Sequence, residues 1–425
     1  MQILVVLAAS LHRVSMKILC VFGKHNYGDP ARGEGYEHAN FLPALRKLGH
    51  VPTLFESFDR SPYRNFADMN HAFLQAVERT QPDAILCVLV GYELWIETLD
   101  LVRRQCPAPL INWGTDDSWK YAQFTRFIAP YVDCYATTSA EVLAKTIHRG
   151  LGNVVLTQWA ANDATLVPPI LASECRYQVS FVGSAYGNRR RWIGKLQQHG
   201  IEVECFGHGW PRGPVAASEI PRIVRESVIS LNFGDSGLQF TGLKPYRSRQ
   251  IKARVFEVPG AGGFLLTESA PELSRHFRLG EEVAEFDSVG DLIAKVRHFL
   301  EYGEERDRIA QAGHQRTRHE HTYAKRFARL FEEASRLKAA GAVAVPAPRR
   351  HFQFDQADFT ELAARHTRGP WLQVLGSLLA WPAILIWGRE RGLRAARRIL
   401  FELSWRFAGA KTYSAAGLPG RVFYK

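Results

Sequence analysis

The sequence predicts an α/β chain of two doubly wound halves followed by a helical appendage. Three observations carry this. From Met16 onward, short apolar runs alternate with longer stretches of helical composition, and continuous apolar strands separated by helices imply a parallel sheet covered on both faces. The alternation stops at a proline-bearing connection, 162–174, and then begins again. Beyond residue 339 the composition changes altogether, to an Ala/Val/Pro linker at 339–348 and a charge-free stretch at 369–388.

A length of 425 residues suits two domains and an appendage. With 46% hydrophobic and 23% charged residues, the chain has the composition of a soluble globular protein. Its six cysteines (Cys20, Cys87, Cys106, Cys134, Cys175, Cys205) form no CxxC pair, which favours unpaired thiols in a reducing compartment over a disulfide scaffold or zinc site. The formal charge is +12, yet residues 340–425 hold 13 Lys and Arg against 5 Asp and Glu. Most of the basic excess therefore sits in the tail, and a body so nearly balanced does not indicate nucleic acid as a partner.

In the first half, residues 1–15 form an apolar run without the basic start of a secretory signal. They read as an extension preceding a strand that restarts at Met16. Strands are expected at 18–23, 51–56, 84–91, 109–116, 134–139 and 154–160, giving a domain over 16–162. The first loop, 23–35, is glycine-rich and enters a helix, but after Gly33 and Gly35 the third position of GxGxxG is His38. That argues against a dinucleotide cofactor; His25 and His38 are candidates for a base alongside the acidic pair that follows. Asp116 and Asp117 close the fourth strand. Adjacent acids in a cleft shift each other's pKa and suit a base; alternatively one of them caps the next helix. Two neighbouring acids without a third ligand make a poor metal site, so neither metal nor cofactor is expected. Ser139 with Glu141 reads as a helix cap, and 159–162 leads out of the domain.

In the second half, strands are expected at 177–183, 201–207, 228–234 and 263–267, in a domain over 163–335. Its ligand belongs in the cleft between the halves, at the carboxyl ends of the strands. Gly183 ends a strand, and Arg189 and Arg190 open the helix after it; backbone donors and guanidinium groups together suit a diphosphate, although three arginines in a row also fit a solvated face. Gly209 and Trp210 close the next strand, where the indole either stacks on a base or is packed. A flexible basic loop with Lys244, Arg247 and Arg249 leads to Lys252, Arg254 and Glu257. Glycines at 260–263, including Gly262 and Gly263, cap the helix bearing Glu257 and allow a ligand close to the backbone. Cations around a carboxylate are what a nucleotide diphosphate and its ribose require together. His314, His319 and His321 do not share the helical face of a His-x3-His pair and read as structural.

These stretches resemble nucleotide-sugar glycosyltransferases of the group 1 type, and within them the branch named after the spore maturation protein CgeB. The resemblance covers about 16–334. It implies two Rossmann-like domains in the GT-B arrangement, the first binding the acceptor and the second the donor. It also implies that Glu257, before the small-residue turn, bonds the donor ribose, that Arg189 and Arg190 bind the donor phosphates, that 206–210 lines the nucleotide side, and that Asp116 and Asp117 match a recurrent acidic pair. The earlier Glu of the motif, with seven residues between, falls on Arg249. The activity implied is direct, metal-independent transfer of a sugar from a nucleotide sugar to a cell-surface glycan, lipid or related acceptor, with retention of configuration. A degenerate nucleotide-sugar-binding or coat-associated protein, or a sugar-nucleotide epimerase, is the alternative.

The remainder divides into a linker, 336–368, and a tail, 369–425. Twenty uncharged residues would just span a bilayer, but Gln373, Gly376, Ser377 and Pro382 interrupt them. Arg389, Arg391, Arg394, Arg397 and Arg398 follow, and a spanning helix with that flank cytoplasmic would place the enzyme outside, away from cytoplasmic nucleotide sugars. Leu393, Ala396, Leu400, Leu403 and Phe407 recur opposite the arginines, as in a basic amphipathic helix. Residues 369–409 are therefore expected on an anionic membrane, with the protein cytoplasmic at its inner face; a helical appendage packed on the body is the other reading.

Overall fold

The computed structural model describes residues 15–241, 244–341, 351–367 and 369–423. Apart from Ser15, whose hydroxyl donates to Gly49 O, the expected extension lies outside them.

Six parallel strands, β1 (Lys17–Phe22), β2 (Val51–Glu56), β3 (Ala84–Cys87), β4 (Leu110–Trp113), β5 (Cys134–Thr137) and β6 (Val154–Leu156), form one sheet in the order β2-β1-β3-β4-β5-β6. Their apolar runs are continuous because both faces are covered. Leu19, Val21, Ile85 and Cys87 meet the helices Phe66–Thr80 and Ile96–Gln105. Ile18, Cys20, Phe22 and Leu86 meet the helix Tyr36–Lys47 on the other side.

The second sheet is β7 (Tyr177–Val182), β8 (Glu204–Phe206), β9 (Ser227–Asn232), β12 (Leu265–Glu268) and β13 (Ala284–Phe286), in the order β13-β12-β9-β7-β8. Between β9 and β12 the stretch expected as a flexible basic loop is instead an antiparallel ribbon, β10 (Asp235–Thr241) and β11 (Lys244–Arg249). Strand order reverses between β1 and β3 in one sheet and between β7 and β9 in the other, so each domain opens a crevice at its carboxyl edge.

Three boundaries differ from expectation. The helix Tyr323–Gly341, assigned by sequence mostly to the second half, packs on the first: Tyr323, Phe327, Leu330, Phe331 and Ala334 are buried with Phe41 and Trp113. Each large apolar side chain so buried contributes about 1.5–3 kcal/mol, and the stripe finds its partner only by returning. Part of the expected linker joins the core as well, since Phe352, Phe354, Phe359 and Leu362 are buried in the first domain; residues 342–350 lie outside the described ones. The tail is a hairpin. The helix Pro370–Ala408 breaks at Gly388 (φ 75°, ψ 169°) and folds back so tightly that a Cβ on Gly392 would stand 2.4 Å from Ile384 Cα. Leu393, Ala396 and Leu400, expected to face a membrane, cover the first half of the hairpin instead.

Candidate functional site

From the first domain, the helix Tyr36–Lys47 and the turn after β4 reach the cleft. Asp116 stands at the start of the short helix Asp117–Lys120 without capping it. Beside it is Glu37, whose carboxyl is raised above its usual range by burial, the charge of Asp116 adding to the effect. Asp117 turns away. Its Oδ1 accepts from Thr125 Oγ1 at 2.7 Å and from the Tyr135 hydroxyl at 2.9 Å, and it is fully buried. The second acid of the pair thus anchors the turn, and burial holds its carboxyl above the ordinary range. His38 is tied to Glu34, one turn earlier on the glycine loop. Of Asp116, Asp117 and His38, only Asp116 is placed opposite the second domain's cations.

From the second domain, Arg254 lies along the end of β7. Its Nε donates to Asn232 Oδ1 at 3.2 Å, and a Cβ on Gly183 would come within 3.2 Å of its guanidinium, so the glycine is what admits it. Arg189 is buried, donating to Ser184 O at 2.8 Å and the Tyr186 hydroxyl at 3.1 Å, and so fixes the loop that leads into its helix. Burial, then the nearby Arg254, pushes it down to about 10. Arg190 donates to Gly209 O and covers the Trp210 ring, while Trp210 Nε1 donates to Gly183 O at 2.7 Å. Gly209, at φ 85°, lets the arginine in. Of the two readings of this indole, stacked on a base or packed, the structure shows the packed one, bracing the ends of β7 and β8.

Glu257 sits within the helix Arg254–Gly260, whose last carbonyls, Pro259 O and Gly260 O, both accept from His314 Nδ1 at 3.1 Å. The chain then turns at Gly262, φ 78°. A Cβ there would be 2.6 Å from Val167 O, and one on Gly263 2.7 Å from Val224 O. The close approach that these glycines permit is made here by the protein's own backbone. Arg249, in the place of the motif's earlier acid, pairs with the buried Glu268 at 3.1 Å and ties the ribbon to β12. Glu268 also accepts from the amides of Gly234 and Asp235.

The two domains meet at these groups. The Tyr36 hydroxyl donates to Glu257 Oε1 at 2.7 Å and lies 2.9 Å from the Tyr323 hydroxyl; Ser118 bonds Gln250 across the same cleft. Lys252 is half-buried and is pushed down to about 8, by burial first, with Arg254 and Arg189 adding and Asp116 and Asp235 opposing. Asp235 is buried under the loop before Arg189, accepting from Asn188 N at 3.3 Å. Sequence reading missed Tyr36, Glu37, Tyr323 and Asp235. Only their place at strand ends and helix starts signalled them, because their partners are remote in the chain.

A cation cluster (Lys252, Arg254, Arg189) thus has Asp116 near it from the other domain, with Glu37 beside Asp116 and Glu257 on the helix that Arg254 opens. Such a site can hold an anion and offer a base across from it. Among the described residues no three His, Cys, Asp or Glu side chains gather to hold an ion. A separate cavity of about 730 Å³ lies on the outer side of the second domain, against the helix Gly303–Glu320. Its Arg278 and Arg316 are already paired with acids.

Residues 189–332 match the family model described as glycosyl transferase-like. No curated protein matches the chain in sequence. Among solved structures it is similar to a glycosyltransferase from Rickettsia africae (10% identity, 76% of this chain, 99% of that one, TM-score 0.51). It is similar also to sucrose-phosphate synthase from Thermosynechococcus elongatus (12%, 76% and 100%, TM-score 0.53). A third is HepE of Anabaena, solved with UDP and glucose (11%, 75% and 99%, TM-score 0.51). The architecture is the two-domain GT-B fold, and its second domain is glycosyltransferase-like.

Proposed function

We infer that this chain transfers a sugar from a nucleotide-sugar donor to a glycan, lipid or related acceptor, without a metal ion. The observation that carries the reading is the placement of Lys252 and Arg254 at the β7/β9 switch point, with Glu257 one helical turn on, inside the stretch that matches the family model. Lys252 and Arg254 hold the donor diphosphate and stabilise the charge left on it when the sugar departs. Glu257 accepts from the ribose through the oxygen that Tyr36 leaves free. Asp116, with Glu37 beside it, faces this group from the acceptor side and takes the acceptor's proton.

Thermal stability of the purified protein against UDP-, GDP-, dTDP- and CMP-sugars tests this. A ligand that binds only the native state raises the apparent melting temperature by mass action. One nucleotide class is expected to give a shift that Glu257→Ala abolishes, and candidate acceptors then yield product with that donor. No shift with any donor overturns the reading. A shift with conversion of donor alone identifies an epimerase, and a shift with no turnover a binding protein.

A further inference from the structure

The hairpin Pro370–Ala408 carries an apolar face that nothing in the described chain covers. Its first half, residues 370–387, has no charged residue, and its faces have different fates. Leu372, Gly376, Ala380 and Ala383 are buried against the second half and the helix Leu418–Val422. Trp371, Val374, Leu378, Trp381 and Leu385 recur at steps of three and four residues, which aligns them on one stripe, and each is 58–67% exposed. Soluble proteins rarely leave so long an apolar strip in water. Beyond the turn at Gly388, Arg389, Arg391, Arg394 and Arg398 are exposed.

We propose that this hairpin lies flat on an anionic lipid bilayer, the stripe entering the acyl boundary and the arginines meeting the headgroups. Charge complementarity selects this occupant, since an apolar strip bordered by cations fits anionic lipid. Tryptophan selects it too: Trp371, Trp381 and Trp387 are all exposed in the uncharged half, and an indole prefers the interface between acyl chain and headgroup. A crossing does not fit. Eighteen residues of helix reach about 27 Å against a hydrocarbon core of about 30 Å, and the packed second half would carry Arg394, Arg397, Arg398 and Glu402 inward with it. The root of the hairpin is fastened to the first domain, where Phe401 packs on Tyr92 and Tyr413 on Phe124 and Phe127. A bound hairpin therefore holds that domain at the surface. This inference stands whether or not the transfer reading does.

Flotation of the full chain with mixed phosphatidylglycerol–phosphatidylcholine vesicles and with pure phosphatidylcholine vesicles tests it. Binding to the mixed vesicles is expected, weakened at least about tenfold in Trp381→Ser/Leu385→Ser. In Arg389→Ser/Arg391→Ser/Arg394→Ser the preference for phosphatidylglycerol and the salt sensitivity are expected to disappear. All five positions are exposed, and an unchanged melting temperature confirms that the variants fold. Equal binding by the wild type and the stripe variant overturns the proposal. So does a dimer in lipid-free light scattering that the stripe variant dissociates, which would assign the strip to a second copy. Retention through alkaline carbonate extraction overturns the flat orientation.

Discussion

Lys252 concentrates the electrostatics of the cleft. Burial brings its pKa from 10.5 to about 8, so below pH 8 the folded protein holds an ammonium where its surroundings disfavour one. Between 8 and 10.5 the unfolded chain binds a proton that the folded chain has released, and stability rises with pH across that window. Lys252→Met is therefore expected to be more stable than the wild type below pH 8, with the gain vanishing toward 10.5. The same variant should bind the donor about 10- to 100-fold more weakly, the value of a charged hydrogen bond of about 1.5–3 kcal/mol; urea unfolding across pH and donor titration measure the two. Tyr36 acts in the opposite sense. Burial raises the Glu257 carboxyl and the Tyr36 hydrogen bond is the largest influence opposing it, so the buried carboxylate costs stability above its folded pKa and Tyr36 reduces that cost. Tyr36→Phe should lose about 1–3 kcal/mol at neutral pH, and the loss should have faded by pH 4.5, the ordinary value for a glutamate, because burial makes the folded carboxyl take up its proton above it. An equal loss at both pH values would mean that the hydroxyl matters through packing alone.

Among the elements, the strands were legible and the turns that join them to function were less so. The central strands exist because a run such as Ile18–Phe22 is apolar on both faces and has a parallel neighbour on each side; the edge strands β2, β6 and β8 have one neighbour each, and β13, at the remaining edge, was not among those expected. The ribbon β10–β11 was not legible: its sequence, DSGLQFTGLKPYRSR, has neither a continuous apolar run nor strict alternation. For the helix Tyr323–Gly341, a stripe of apolar residues does not say which sheet it will meet. In the tail, Leu393, Ala396 and Leu400 of the expected apolar face are covered by protein while Leu403 and Phe407 stay exposed, since periodicity in 393–407 shows that one face is apolar and not whether lipid or protein covers it. The sharp return at Gly388 and Gly392 decides that question. Gly392→Val would drive a side chain into Ile384, so the hairpin should open and become cleavable near residue 388 in limited proteolysis, while its root stays packed on the first domain through Phe401 and Tyr413.

At the scale of the whole molecule, the site belongs to neither domain. Tyr36 and Glu257 are 221 residues apart, and a composition or motif reading, which works locally, finds Glu257 from its glycine turn and has no means of finding its partner. The same holds for Lys252 and Asp116, whose mutual influence exists only because the carboxyl edges of the two sheets face each other. What joins these edges is narrow. The chain leaves the first domain at Ala161 and re-enters at Thr322, and these residues form a bridge, Ala161 N donating to His321 O at 2.8 Å and Tyr323 N to Ala161 O at 3.0 Å. In genetic terms the second domain is an insert with its seams side by side: cut out, it would leave in its host a gap that a tight turn could close, and a whole module would depart with both ends already together.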